Sequence, residues 1–209
     1  MGSSGWPAAA VDGRVGIRPL RLRDAGAWSE IRVRNEDWLS PWEGRQPEQP
    51  SVSWEERHSP AAFTAMLRVL RRESKEGRSM PFAVTYDGEL AGQVTVSNIV
   101  RGAFQSASVG YWVDVRLAGR GIMPQALALV VDHCFQSAGL HRVEANVRPE
   151  NEPSRRVVHK LGFREEGLHP RFLFIDGEWR DHLCFAVTVE DIPEGVLRRL
   201  HSRRSHEIT

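Results

Sequence analysis

The chain has 209 residues, 41% of them hydrophobic, enough for one domain with a sizeable core, and no stretch of disordered composition divides it. Its 28 Lys and Arg stand against 27 Asp and Glu, a net charge of +1, so bulk electrostatics names no partner such as nucleic acid or an anionic membrane. No apolar run is long enough to span a bilayer, the first residues lack the charged and apolar regions of a signal peptide, and two cysteines without a disulfide framework fit a reducing compartment, so a cytoplasmic location is expected.

In chain order, residues 1–14 are expected to be a flexible N-terminus, Val15 to Leu20 a strand and Arg23 to Trp38 helical. Leu39 to Pro60, rich in proline and tryptophan, is long for a loop without structure of its own, and such loops are often functional. Ala61 to Glu76 is a helix with Phe63, Met66, Leu67 and Leu70 on one stripe. Strands Pro81 to Tyr86 and Leu90 to Val100 flank the hairpin turn Asp87-Gly88. Val109, Tyr111, Val113 and Val115 then alternate with Ser108, Gly110, Trp112 and Asp114, the period of a strand. After Gly121 the period changes: Met123, Leu127, Val130, Val131 and Cys134 recur at helical steps, with Pro124 in the first turn and an end near Ala138 and Gly139. Val143, Ala145 and Val147 share one strand face, and Arg142, Glu144 and Asn146 the other. A short helix follows, opened by Asn151 or Glu152 and closed by Gly162; then come strands Arg171 to Ile175 and Trp179 to Val189 around Asp176-Gly177. The 191–209 tail reads as a helix that frays.

The passage from strand through Gly119 and Gly121 into a helix is how backbone is arranged to hold a phosphate. Glycine tolerates positive φ and carries no Cβ, so free N–H groups at the helix start can crowd around an anion. A dinucleotide fingerprint would need a glycine where Pro124 stands, and no Gly-Lys-Ser/Thr triplet of a Walker A loop occurs. His133, His141, His159 and His169 lack Cys/His ligand spacing, so no metal is expected. No Gly-x-Ser-x-Gly elbow accompanies any serine.

Strand, glycine turn, helix, strand, the Asn151-x-x-Ser154 helix and Leu161-Gly162-Phe163 together resemble the GNAT superfamily of acetyl-CoA-dependent N-acetyltransferases. The words Gly-Tyr-Trp-Val, Gly-Ile-Met, His-Arg-Val-Glu-Ala-Asn-Val and Ile-Asp-Gly-x-Trp-Arg-Asp-His resemble its RimJ/RimL branch, which acetylates the N-termini of ribosomal proteins. The match is specific from about Ala107 to Val189 and looser from Ile17 to Asn98. It implies a single-domain α/β (α+β) GNAT fold over 15–190, with a mixed, mostly antiparallel twisted sheet of about seven strands flanked by helices, in a monomer or homodimer. The family's phosphate-loop pattern can start at Arg116 or at Ala118; the second register keeps the spacing to Val113 and to the helix, and loses a Gln or Arg side chain at 118.

Carried over residue by residue, the resemblance puts the pantetheine and thioester of acetyl-CoA beside the backbone of Tyr111, Trp112 and Val113, with Val113 N–H as oxyanion donor. Pyrophosphate would meet Gly119, Arg120, Gly121, Ile122, Met123 and, by position only, Pro124; Asn151 would touch the thiol end unless it is a plain helix cap. Amine attack on a thioester needs a base for the ammonium and an acid for the thiolate. The Glu and Tyr that serve RimI relatives correspond to Asn146 and Val158, which cannot do either job. Glu144, on the same strand face as Asn146, is the candidate base through water, with a salt bridge to Arg142 as the alternative; Ser154 is the candidate on the thiolate side, with capping or packing as the alternative. The acceptor would be the N-terminal α-amine of a protein or peptide, entering by the 39–60 loop, where Trp38, Trp42 and Trp54 either rim its site or pin the loop to the body. A small amine or antibiotic as acceptor, and a non-catalytic CoA-binding module, are the competing expectations.

Overall fold

The computed structural model describes residues 5–48 and 52–206. One eight-stranded sheet forms its centre, comprising β1 (Ala10–Asp12), β2 (Val15–Pro19), β3 (Met80–Tyr86), β4 (Glu89–Val100), β5 (Ser106–Val113), β6 (Arg142–Val147), β7 (Arg164–Ile175) and β8 (Glu178–Thr188). The spatial order is β1-β2-β3-β4-β5-β6-β8-β7, and every neighbouring pair is antiparallel except β5 with β6. The expected sheet thus has one more strand: β1 forms within the stretch expected to be flexible, pairing residue for residue with β2. The hairpin between β3 and β4 turns on Asp87 and Gly88, both at positive φ, as a two-residue turn matched to strand twist requires.

Helices cover both faces. The 25–39 stretch forms α1 (Ala25–Arg34) and α2 (Glu36–Leu39), broken at Asn35, and the short helix α3 (Trp54–Arg57) precedes α4 (Pro60–Lys75). The main core lies on the other face under α5 (Ile122–Gln136), with α6 (Glu152–Lys160) and α7 (Val196–His206) beside it. Alternation along β3 shows the division: Phe82 and Val84 join the α5 core, and Ala83 packs with Trp28, Phe63 and Leu67 under α1 and α4. In α5 the stripe Met123, Leu127, Val130, Val131 and Cys134 is buried, as its spacing predicts.

Three expectations need correction. The alternation read as far as Val115 stops at Val113, because Asp114 turns the chain and caps a short 3-10 turn over Val115–Leu117. β7 begins at Arg164 rather than near Arg171; Gly167 and Pro170 suggest a break, but the chain continues through two irregularities in the ladder with β8. The tail does not simply fray. Asp132 on α5 accepts the N–H groups of Val196 and Leu197 at 2.7 and 3.1 Å, and Val196 and Leu200 of α7 are fully buried.

Candidate active site

The sheet opens at the end of β5. β5 runs beside β6 only from Ser106 to Ser108, whereas β6 stays paired to β8 through Val147 and β5 to β4 through Val113. Beyond Ser108 one edge of β5 therefore faces a gap. Asp114 N–H donates to the Ala91 carbonyl at 2.9 Å, and the two-residue alternation of an antiparallel ladder then directs the N–H and C=O of Val113 and Tyr111 away from β4, into that gap. Trp38 Nε1 donates to the Val113 carbonyl from that side at 3.2 Å.

Asp114 fixes the strand end. Its buried carboxylate accepts from Arg34 at 2.5 Å, from Asn35 Nδ2 at 3.0 Å and from Arg116 N–H at 3.2 Å, while Asn35 Oδ1 accepts Val115 N–H at 2.8 Å. Burial pushes this carboxyl up, but the donors outweigh it and its pKa lies below the ordinary value. The chain then passes Gly119 and Gly121, at φ 77° and 76°, and α5 begins at Ile122 directly after the second glycine. The first amides of a helix lack intrahelical acceptors, and its dipole end favours negative charge.

Around the gap lies a cavity of about 650 Å3. Of the residues expected to meet the cofactor, Tyr111, Trp112, Val113, Gly119, Gly121, Ile122, Met123, Pro124 and Asn151 line it, and Ser154 lines it too; Arg120 does not. Arg156 and Lys160 on α6 add positive charge to the wall, a signal available in the sequence as basic residues on the turn-spaced face of the Ser154 helix. Asn151 caps α6, its Oδ1 accepting Ser154 N–H at 3.1 Å, so the capping alternative is realised at a residue that also faces the cavity. Ser154 Oγ lies 2.8 Å from Tyr111 Oη, whose hydroxyl also donates to the Ser154 carbonyl at 3.3 Å. Burial holds the Tyr111 phenol above its ordinary pKa, with the Ser154 hydrogen bond only partly opposing this.

Glu144 stands apart. It does not line the cavity, and Arg142 Nε donates to its carboxylate at 2.7 Å while the same guanidinium reaches Glu166, so the ion-pair alternative is the one the geometry supports. The tryptophans divide. Trp38 and Trp42 line the cavity, whereas Trp54 is buried and pins the segment by donating to the Arg32 carbonyl at 2.8 Å. Sequence reading missed Arg32 and Glu43, which also face the cavity, and His58 behind them.

Over residues 14–164 the chain matches the family model of the acetyltransferase (GNAT) domain. It belongs to the GNAT acetyltransferase family. This GNAT chain is 45% identical to the solved structure of Mycobacterium smegmatis RimJ in complex with CoA-disulfide, at a TM-score of 0.90 over 95% of this chain and 96% of that one. It is 31% identical over 184 residues to the [ribosomal protein uS5]-alanine N-acetyltransferase of Escherichia coli K12, covering 87% of this chain and 91% of the relative. It is 33% identical over 175 residues to the probable N-acetyltransferase YjcK of Bacillus subtilis, covering 84% and 94%. The GNAT chain is an acetyl-CoA-dependent N-acetyltransferase of the RimJ/RimL type. Its cavity suits that cosubstrate, with a β5 edge that β6 leaves unpaired for pantetheine amides, a glycine turn and helix start for pyrophosphate, and cationic side chains beside them. Among the described residues no His, Cys, Asp and Glu cluster could hold a metal ion, and no helix is long and apolar enough to cross a membrane.

Proposed function

We propose that the acceptor is the N-terminal α-amine of a protein, a ribosomal protein being the class suggested by the relatives' names, and that it attacks the thioester directly while both substrates are bound. The observation that carries this reading is the continuity of the cavity. One space runs from the glycine turn along Tyr111, Trp112 and Val113 to the 38–44 segment, so a peptide end can stand beside a bound thioester without a covalent enzyme intermediate. An α-amine, with an unperturbed pKa of about 7.7–8.0, is neutral at pH 7 far more often than a lysine near 10.4, which lowers the demand on a base. The test is a competition assay with acetyl-CoA in which peptides with free and blocked N-termini, polyamines and aminoglycosides compete. Free N-termini are expected to be acetylated first; preference for small amines or for lysines of blocked peptides would overturn the reading.

In this reading Val113 N–H donates to the thioester oxygen as negative charge builds there; as the C–N bond forms and the C–S bond breaks, Ser154, positioned by Tyr111, hands its hydroxyl proton to the departing sulfur and takes up the proton that the attacking nitrogen sheds. Ser154→Ala is expected to lower kcat by about a hundredfold, a usual share for a positioned proton donor, with little change in CoA affinity. A variant with wild-type kcat would reduce Ser154 to packing. The enzyme acts in the cytoplasm. Its two cysteines, Cys134 and Cys184, are buried, and burial raises both thiols above their ordinary pKa, Cys134 up to about 12.

A further inference from the structure

Arg32 stands in an aromatic enclosure. Its guanidinium carbon lies 5.1, 5.2 and 5.6 Å from the ring centres of Trp54, Trp112 and Trp28, close enough for cation–π attraction, and burial lowers its pKa to about 9. It remains a cation at neutral pH and pairs with Glu43, which follows Trp42 on the cavity wall.

Glu43 is more than a counterion. Behind it, His58 Nδ1 lies 2.8 Å from the Trp54 carbonyl, which only accepts, so Nδ1 carries the proton; Nε2 lies 2.8 Å from Arg32 Nη2, which only donates. Neutral His58 therefore spends its lone pair on Arg32 and has no proton for the carboxylate 3.0 Å away. Burial and Arg32 keep it neutral, lowering its pKa to about 4. A carboxylate offers about four acceptor positions, and Arg32 occupies one side of it. The Glu43 side chain is 22% exposed, and it faces a cavity whose other charged groups, Arg32, Arg156 and Lys160, are all cationic. An arriving ammonium meets repulsion elsewhere along the wall and attraction at Glu43. The Trp38 bond to the Val113 carbonyl holds this segment against the end of β5, where the acyl group is expected.

We infer that Glu43, held by the aromatic-enclosed Arg32, is the seat of the acceptor's α-ammonium and the residue that selects a charged N-terminus. The inference rests on the peptide reading above. It is tested by equilibrium binding in the presence of CoA, which has no acetyl group to give, using a short peptide with a free N-terminus and its isostere with a hydroxyl in place of the amine. At pH 7 the wild-type protein is expected to bind the ammonium peptide about tenfold more tightly, as charge-assisted hydrogen bonds allow, and the preference should fade as pH rises past 8 and the amine loses its proton. Glu43→Gln should bring the two affinities to within about twofold with CoA binding kept, and Glu43→Asp should restore part of the preference. If Glu43→Gln fails to fold because Arg32 is left unpaired, the wild-type preference and its pH dependence decide. Binding of both peptides without preference, or a folded Glu43→Gln that keeps it, overturns this inference alone. A wild-type protein that binds neither peptide overturns the peptide reading and this inference with it.

Discussion

Gly121→Val is expected to weaken acetyl-CoA binding by at least about a hundredfold, equivalent to about 2.8 kcal/mol at about 1.4 kcal/mol per factor of ten. Gly121 sits at φ 76°, immediately before the first residue of α5, a backbone angle that a β-branched side chain resists. The chain must then either strain or withdraw the turn, and withdrawing it misplaces the amides of Ile122 and Met123, the proposed phosphate donors. Gly121 lines the cavity, and a glycine contributes only backbone there. Thermal melting with and without cosubstrate gives the readout. At a hundredfold excess over its dissociation constant, acetyl-CoA should stabilise the wild-type protein by about 2.7 kcal/mol, and the variant hardly at all under the same conditions. An unchanged ligand-induced shift would mean that the pyrophosphate lies elsewhere.

That turn was legible because glycine spacing and a change of period are local signals, and the structure places both glycines at positive φ with the helix starting at Ile122. The same holds for the Asp87-Gly88 hairpin and for the Asn151 cap. What failed to show in the sequence was whatever depends on distant partners. Glu144 shares a strand face with Asn146, but its neighbours Arg142 and, through the β8 to β7 pairing, Glu166 are not visible as partners in the sequence. Trp54 and Trp42 look alike as tryptophans of one loop, yet one is buried under Arg32 and the other stacks with Arg148 on the cavity wall. Glu43 offered no motif at all. Its meaning comes from Arg32 eleven residues earlier and His58 fifteen later, brought together by a segment that reads as loop and contains a 3-10 turn, a bridge from Gly44 to Ile175 and α3.

Gly92→Ala is expected to lower kcat by about a hundredfold while leaving the chain folded, the loss typical of a reacting group misplaced by about 1 Å. Gly92 lies opposite Val113 in the ladder. A Cβ built there would stand 2.2 Å from the Trp112 carbonyl oxygen and 3.0 Å from Val113 Cα, and both are backbone atoms that no side-chain rotation can move aside. β5 must therefore yield at Val113, whose N–H faces the gap and is the proposed oxyanion donor. Moving it also strains the bond from Trp38 to the Val113 carbonyl and, through Asp114, the contacts with Arg34 and Asn35. Gly110→Ala is the control: it lies on the same strand, its added Cβ would meet no heavy atom within 4 Å, and it should change activity little. The contrast separates two accounts of why β5 is rich in function. If the strand acts only as a wall, both alanines should be tolerated, or should fail together through stability. If catalysis rests on where the Val113 amide points, kcat falls for Gly92→Ala alone, with the melting temperature lowered by less than the activity loss implies. A Gly92→Ala protein with wild-type kcat would remove Val113 from the mechanism.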